Sequence, residues 1–386
     1  MKFIKFSVIT IAIIAISSSL SATSLSEALI EGKVTGDISI TYEQRNVDKE
    51  ISKYYQDTAY SVGSIGLDYK SGSYNNLSTE IGLRAYTNIW EEDSNSVTAR
   101  GIGDSSERFY DKARKIMLSK AFIAYDKNDT HFKVGRQSLS TEWMGKIQDA
   151  VSLYTSPIEN SKLEMIWSKK MGRVYSREFR DFNDLNENKG VYKAGFEYKF
   201  NEHVKTKTYY MTSPDKYNLV GGRINLDGTF GDAKIGSLIH VIETNEKISD
   251  VADGKMLEVK LYANYAGYSA TLGYVKTGEE NGWGSANTAG EQIVQFEEGD
   301  GMYYADAETI YFSVNKQVGP INITALYGEM EYTKNNYKEK EFDLWAGYNI
   351  SKNLTLNAGF TVTNTDDKDA GTTDLTQLNT TLVYKF

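Results

Sequence analysis

The amino-acid sequence predicts an all-β protein, a transmembrane antiparallel β-barrel of about 18 strands with an inward-folded third loop. Three observations support this prediction. The segment Leu378–Phe386 alternates a large apolar face with a polar face and ends on an aromatic residue. Eighteen segments with two-residue periodicity are joined by alternating short and long connections. The first 22 residues have the composition of an export signal.

The N-terminal segment is predicted to be a secretory signal peptide over residues 1–22. Lys2 and Lys5 precede an apolar run, and small residues suited to cleavage follow as far as Ala22. This run is too short to cross a membrane as a helix. Residues 23–32 are expected to be a short periplasmic segment that could form a helical turn, and residues 33–386 the barrel. Because no plug domain precedes the barrel, the constriction must come from a loop.

The composition excludes several other classes of protein. The chain has 28 Tyr, 32 Gly, 3 Pro and no Cys, with a mean hydropathy of −0.47. Tyrosine suits lipid–water interfaces, and the lack of cysteine rules out disulfides and thiolate chemistry. After residue 22 the chain carries 41 basic and 52 acidic residues, a net charge of −11. That charge disfavours nucleic acid as a partner.

The strand candidates follow from alternation broken at turn signals. They span 33–42, 59–71, 77–90, 113–127, 130–137, 150–156, 161–169, 190–200, 204–213, 217–226, 232–243, 255–266, 268–277, 307–317, 321–332, 338–350, 354–364 and 376–386. Every second connection is turn-like, whereas most others are long and polar: 43–58, 91–112, 138–149, 170–189, 244–254, 278–306 and 365–375. An even count with this asymmetry is typical of outer-membrane barrels.

The inward faces of the predicted strands are polar. In 190–200, Tyr192 and Phe196 would face lipid, whereas Lys193 and Glu197 would point inward. Segments 255–266 and 338–350 alternate in the same way. Because only water can satisfy such a lining, we expect a water-filled channel rather than a packed interior.

Three neighbouring segments carry a more specific pattern. They are Lys120-Ala121-Phe122-Ile123-Ala124-Tyr125, Phe132-Lys133-Val134-Gly135-Arg136-Gln137 and Ala150-Val151-Ser152-Leu153-Tyr154-Thr155-Ser156. Together with the last strand, this pattern resembles the OprD-type porins and the related major outer-membrane porins of Gram-negative bacteria. The resemblance implies an 18-stranded diffusion channel in the outer membrane, as a monomer or a homotrimer. It also implies an inward third loop, here 138–149, and a basic ladder opposite acidic loop residues. Asp149-Ala150-Val151 departs from the family pattern.

Strand alternation independently places basic side chains on the inward faces. They are Arg84, Lys120, Lys193, Lys199, Lys205, Lys207, Arg223, Lys234 and Lys260. Since adjacent strands lie about 4.8 Å apart, those from Lys193 to Lys260 could form a continuous cationic track that attracts carboxylates. The alternative is simple solvation of a wet lumen, with Glu197 and Glu258 neutralising part of the charge.

The predicted third loop supplies the opposing charges. Glu142 and Asp149 are the carboxylates expected to face the basic wall and create a transverse field. Strict alternation would put Arg136 on the lipid face, at a cost of about 2–4 kcal/mol at the bilayer midplane. We therefore expect a bulge at Gly135 that turns Arg136 inward.

These features predict a porin for passive diffusion of ions and small hydrophilic solutes, with a preference for carboxylates and with no cofactor or metal. An adhesin or structural surface protein that uses the long loops, especially 278–306, is the alternative, although Gly278, Gly282, Gly284 and Gly290 favour flexibility there over a defined binding surface. A hydrolase is disfavoured, because its site would need a His near a Ser or Asp. His131 and His203 lie beside predicted periplasmic turns, and His240 has no Ser or Asp beside it that stands out. The expected partners are outer-membrane lipids, lipopolysaccharide at the acidic loops, and the barrel assembly machinery, which would read Tyr384 and Phe386.

Overall fold

The computed structural model describes residues 23–48, 56–109, 114–187, 189–290, 293, 296–299, 301–333, 336–366 and 373–386. The predicted signal peptide lies outside these residues. The elements are α1 (Leu25–Ile30), β1 (Lys33–Val47), β2 (Thr58–Lys70), β3 (Leu77–Glu91), β4 (Val97–Thr98), β5 (Gly101–Ile102), β6 (Ile116–Lys127), β7 (Thr130–Ser138), β8 (Ile147–Thr155), β9 (Ser161–Val174), β10 (Phe179–Asp184), β11 (Val191–Lys199), β12 (Val204–Ser213), β13 (Tyr217–Phe230), β14 (Ala233–Glu246), β15 (Lys255–Tyr265), β16 (Tyr268–Thr277), β17 (Glu308–Val318), β18 (Ile321–Tyr332), β19 (Tyr337–Asn349), β20 (Leu354–Thr365) and β21 (Leu375–Lys385). Short 3₁₀ turns cover Asp104–Glu107, Gly284–Ala289 and Gly301–Tyr303.

The main sheet closes on itself as a barrel. It contains 19 strands, of which β10 pairs only with the end of β9. The other 18 pair antiparallel with their neighbours, and β1 pairs with β21 from Asp37↔Lys385 to Val47↔Leu375. β4 and β5 form a separate small hairpin. The prediction of an 18-stranded antiparallel barrel is confirmed.

The connections alternate in length, with two differences from the prediction. β9 continues to Val174 and β10 occupies much of the predicted loop 170–189. The predicted loop 138–149 is shorter, because β7 ends at Ser138 and β8 begins at Ile147. We call residues 139–146 the third loop and residues 278–307 the seventh loop. Both lie at the end of the barrel where the long connections are.

A helix precedes the barrel at the opposite end. Ser24 caps α1, since its hydroxyl accepts the backbone N–H of Glu27. Ala28 is buried, and its carbonyl accepts the N–H of Gly72 in the turn between β2 and β3. The short helical turn expected in 23–32 is therefore present. No helix in the described part of the chain has the length and apolar character needed to span a membrane.

The strands alternate an exposed outer face with a covered inner face. In β11, Tyr192 and Phe196 are exposed whereas Val191 and Lys193 are buried. In β21, exposed Leu378 and Leu382 alternate with buried Gln377, Asn379 and Thr381. This period of two is that of a pleated strand with different surroundings on its two faces, and the face assignments agree with the sequence pattern.

The interior is not polar throughout, which corrects the expectation of a water-filled lumen along its whole length. The inner face carries buried apolar side chains from every strand between β12 and β19, among them Met211, Leu219, Ile242, Met256, Val275, Leu326 and Trp345. Loop residues Leu139, Trp143 and Met144 pack against them. A smaller apolar cluster joins Tyr60, Val62, Tyr86, Phe109, Met117, Ile147, Val174 and Phe179. Loops that fold inward replace water over these side chains.

The seventh loop contributes most of this filling. Trp283, Phe296 and Met302 are each at most 1% exposed and belong to the large apolar cluster. Gly282, Gly284 and Gly290 have positive φ angles in tight turns, which glycine adopts without strain. The expectation that these glycines make a flexible external loop is wrong for the described residues. They allow the loop to fold inside the barrel.

Candidate functional site

The tip of the third loop is a tight turn that directs two residues towards strands β11–β14. Thr141 and Met144 exchange backbone hydrogen bonds of 2.9 and 3.2 Å, so Glu142 and Trp143 form the tip. Trp143 has φ +62 and donates its indole N–H to the Tyr209 hydroxyl of β12 at 2.8 Å. The loop is thus held against β11–β14 by both packing and hydrogen bonding.

Three cationic side chains converge on the Glu142 carboxylate. Lys193 Nζ lies 3.0 Å from it, Lys207 Nζ 2.5 Å and Arg223 Nη1 2.6 Å. These residues belong to adjacent strands β11, β12 and β13, and Lys207 is directly opposite Arg223 in the sheet. The predicted loop carboxylate and three of the predicted basic residues therefore lie together.

A second carboxylate that the sequence did not single out completes this group. Glu164 of β9 lies 2.7 Å from Lys193 Nζ and 3.1 Å from Lys207 Nζ. It neighbours Met165, which is on the exposed face, so the same parity rule that found Lys193 could have found Glu164. We call Glu142, Glu164, Lys193, Lys207 and Arg223 the Glu142 cluster. Its three cations exceed its two carboxylates by one charge.

Burial and neighbouring charge act in opposite directions on the loop carboxyl. Burial raises the pKa of Glu142, but the ammonium groups of Lys193 and Lys207 and the Arg223 guanidinium hold it well below its usual range. Glu142 is therefore ionised at neutral pH. The Lys193 side chain is fully covered, whereas that of Arg223 is 30% exposed. Arg223 is the most exposed member of the cluster.

Most of the other predicted basic residues also have carboxylate partners. Lys260 Nζ lies 2.5 Å from Glu258 and is 22% exposed. Lys120 bonds Glu80 at 2.6 Å and Asp68 at 3.0 Å, and Arg84 pairs with Asp37. Lys205 lies 3.7 Å from Glu197. Lys199 and Lys234 are exposed near the short turns and form no ion pair within the described part of the chain. The cations alternate with acids rather than forming an uninterrupted track.

The expectations for Arg136 and Asp149 need correction. Gly135 has φ +121, but β7 keeps its register with β6 and β8 through this residue, so the expected bulge is absent. Asp149 lies within β8 rather than the loop. It faces Arg136 directly and accepts two hydrogen bonds from it, of 2.7 and 2.9 Å. It therefore contacts Arg136, not the basic wall. The guanidinium stacks on Phe182 at 3.4 Å.

A second ionic group, absent from the sequence prediction, lies near the end of β1. Glu43 on the inner face bonds Arg177 Nε at 2.8 Å and Arg108 Nε at 3.1 Å. Glu297 of the seventh loop lies 2.8 Å from Arg177 Nη2, and Glu298 2.5 Å from Arg108 Nη2. We call these five residues the Glu43 cluster. Arg108, Arg177 and the two acids lie in long loops, where nothing in the sequence indicates that they meet.

The remaining predicted site residues lie at the chain end. Tyr384 and Phe386 are both exposed on the outer face, and their rings stack at 6.5 Å. The histidines do not form a triad among the described residues. His240 is buried and bonds the Tyr209 hydroxyl at 2.6 Å, with Glu258 at 3.4 Å, whereas His131 bonds Asp126.

Comparison with known proteins supports this architecture. Residues 6–232, more than half of the chain, match the model of a family described as "Putative outer membrane protein". No curated protein sequence matches significantly. Among solved structures, the Acinetobacter baumannii OccAB4 structure has a TM-score of 0.75 at 12% identity, covering 92% of this chain and 98% of that one. The Pseudomonas aeruginosa OccK9 (OpdG) structure has a TM-score of 0.76 at 15% identity, covering 93% and 99%.

A third structure, Pseudomonas aeruginosa OpdK determined with vanillate, has a TM-score of 0.70 at 14% identity and covers 93% of this chain and 99% of that one. Likeness at such low identity establishes the fold, and the resemblance to OprD-type porins is confirmed at that level. The chain belongs to the family of outer membrane proteins matched by residues 6–232, and it has the barrel fold of the Occ and Opd porins.

Proposed function

We propose that this protein is an outer-membrane diffusion channel for ions and small hydrophilic solutes, with a preference for solutes that carry a carboxylate. The observation that carries the proposal is the convergence of Lys193, Lys207 and Arg223 on the carboxylate of Glu142. These side chains already bind a carboxylate in the interior of the barrel. A solute carboxylate passing the third loop would meet the same chemistry.

Two partly exposed cations are the groups we expect to contact the solute. Arg223 donates to Glu142 through Nη1, and its Nε is buried without a hydrogen-bond partner in the described structure. Lys260 lies on β15, two strands away, and remains 22% exposed beside Glu258. Over the Glu142 cluster together with Lys260 and Glu258, four cations face three carboxylates. The excess positive charge would lower the desolvation cost of moving an anion past the constriction.

A structural neighbour is consistent with this preference. OpdK was crystallised with vanillate, which is an aromatic carboxylate. Because the folds are similar, we expect this chain to pass solutes of the same class. The residues that would select them here are Arg223 and Lys260.

The test is single-channel recording of the purified protein in planar bilayers, with reversal potentials in a salt gradient and with benzoate and benzamide as matched charged and neutral solutes. Arg223→Gln with Lys260→Gln should lower anion selectivity and benzoate flux, and leave benzamide flux nearly unchanged. The control is Lys276→Gln with Lys338→Gln, which removes two charges from exposed positions near the long loops. Equal benzoate flux in both double variants would mean that Arg223 and Lys260 only solvate the lumen and do not select solutes.

A further inference from the structure

Glu43 holds two arginines side by side in the Glu43 cluster. Its two carboxylate oxygens accept from different guanidinium groups, Oε1 from Arg108 Nε and Oε2 from Arg177 Nε. Glu43 belongs to strand β1, and Arg177 is only 1% exposed. The barrel wall therefore fixes the orientation of both guanidinium planes. Arg177 Nη2 also lies 2.6 Å from Glu43 Oε2, and the Nη2 groups of both arginines reach the seventh loop.

Those Nη2 groups bind two consecutive carboxylates. Arg177 Nη2 lies 2.8 Å from Glu297, and Arg108 Nη2 lies 2.5 Å from Glu298 and 3.4 Å from Glu297. Burial raises the pKa of the Glu297 carboxyl, but Arg177 and Arg108 bring it below its ordinary value. The site is thus satisfied at present by two adjacent anionic groups.

The loop is anchored by other contacts as well. Glu341 of β19 accepts the backbone N–H groups of Glu297 at 2.6 Å and Glu298 at 3.1 Å. Glu339 accepts the N–H of Gly301 at 3.1 Å, and Phe296 packs in the large apolar cluster. These contacts do not use the side chains of Glu297 and Glu298. Neutralising the two side chains should leave the segment attached.

We propose that Arg108 and Arg177, oriented by Glu43, form an anion-binding site for solutes with two neighbouring carboxylates, and that Glu297 and Glu298 occupy it in place of such a solute. With the loop acids, two arginines face three carboxylates. Without their charges, two arginines face Glu43 alone, and a dianion would restore the present balance. Solvent reaches the site at Arg108 and Glu298, whose side chains are 12% and 15% exposed. The inference rests on the proposed channel only in that solutes must enter the barrel.

The experiment uses the full-length protein in planar bilayers with succinate added on the side of the long loops, and succinamide as the neutral comparison. Glu297→Gln with Glu298→Gln should increase the duration or the frequency of succinate-induced current blocks at least fivefold over the wild type. The blocks caused by succinamide should not change. The matched control is Glu279→Gln with Glu280→Gln, a consecutive exposed pair in the same loop. Adding Arg108→Gln to the first variant should abolish the gain.

Folding is checked by the heat-dependent shift in gel mobility that barrels show. If the double variant does not fold, Glu298→Gln alone serves, since Glu298 is the more exposed of the two acids, and it should still increase the blocks. A folded variant whose succinate blocks match those of the wild type or of the Glu279–Glu280 control overturns the site. The readout compares variants, so it stands even if Arg223 and Lys260 prove to have no part in selectivity.

Discussion

The indole of Trp143 and the hydroxyl of Tyr209 join the third loop to the barrel wall through a 2.8 Å hydrogen bond that is buried on both sides. Tyr209 also bonds His240 Nε2 at 2.6 Å, so its hydroxyl has a second partner. Trp143 packs edge-on against Trp283 of the seventh loop at 5.2 Å. One side chain thus connects both inward loops with β12, next to the Glu142 cluster.

Trp143 should stabilise the barrel mainly through packing. Trp143→Phe removes the N–H donor but keeps a ring, and because Tyr209 retains His240 we expect a loss of about 0.5–1.5 kcal/mol. Trp143→Ala leaves a cavity and should cost about 3–5 kcal/mol. Urea titration of the refolded barrel, followed by gel mobility, measures both. Equal losses would mean that the hydrogen bond, and not the ring, holds the loop.

Glu142 should limit the anion selectivity of the wild-type channel. Glu142→Gln leaves three cations facing Glu164 alone. One added positive charge about 8 Å from a passing ion in water-like surroundings is worth about 0.5 kcal/mol. This energy should favour anions roughly twofold and disfavour cations by the same factor. The reversal potential in a salt gradient should move accordingly. Glu159→Gln, at an exposed turn position, is the control, and a shift of equal size there would argue against a local effect.

Acid should loosen the inward loops only at low pH. The pKa values of Glu142, Glu178 and Glu297 are all below normal in the folded protein. The unfolded chain therefore binds protons more readily, so these carboxylates stabilise the fold above the unfolded pKa of about 4.3. Their contribution is lost as the pH falls further, through the lower folded values.

Protease cleavage within the loops and current noise, followed from pH 7 to pH 3, test this dependence. Both should stay constant down to about pH 5 and rise below about pH 4. Glu142→Gln should lose part of the acid response. A transition centred near pH 6 would assign the change to other groups, such as a histidine or the buried Glu341–Asp343 pair beneath the seventh loop, and would contradict the role of Glu142, Glu178 and Glu297.

The barrel could be predicted from sequence because its information is local. Alternation along β21 separates Leu378 and Leu382 from Asn379 and Thr381 without knowledge of any partner strand. The same parity placed Lys193, Lys207 and Arg223 on one face. Glu164 obeys the same rule, but a single acid in a short segment does not indicate which basic residues it will meet.

The filling of the lumen depends on contacts between distant residues and could not be predicted in that way. Trp143 meets Trp283, and Arg108 meets Glu298, although no periodicity relates the loops that carry them. Inner-face residues such as Met211 and Leu219 did carry a signal. Apolar side chains at inward positions near strand ends indicate that a loop folds inward and covers them. The prediction for Asp149 is wrong because β8 begins at Ile147, three residues before the start of the predicted strand 150–156.

Gly135 should be required for its backbone conformation. Its φ is +121, and a Cβ there would lie 2.2 Å from the Ala121 carbonyl oxygen. Gly135→Ala should therefore destabilise the barrel by about 1–3 kcal/mol, measured by urea titration. Gly222→Ala is the control, because a Cβ at Gly222 meets nothing closer than 3.9 Å. If the two variants were equally stable, the strain at Gly135 would be relieved by a shift of β6.

Phe386 should matter more for assembly than for conduction. Its backbone N–H and carbonyl bond Gly36 at 3.0 and 2.9 Å, where β21 meets β1, and its ring is 47% exposed on the outer face. Phe386→Ala keeps these bonds and removes an interfacial aromatic, worth at most about 1.5–3 kcal/mol. Deletion of Phe386 removes the bonds as well. Neither change touches the Glu142 cluster, so single-channel conductance should stay at the wild-type value in both.

The two variants separate the physical role of the residue from its recognition during insertion. If the assembly machinery reads the terminal ring, the amount of folded protein in the outer membrane should fall several-fold for both, since both lack the ring. If the closing backbone hydrogen bonds are what matter, the amount of folded protein should fall for the deletion variant but not for Phe386→Ala. Heat-modifiable protein in purified outer membranes gives the amount, and refolding in detergent without the machinery gives the intrinsic stability. Normal amounts with altered conductance would place Phe386 against the pore and reverse the faces assigned to β21.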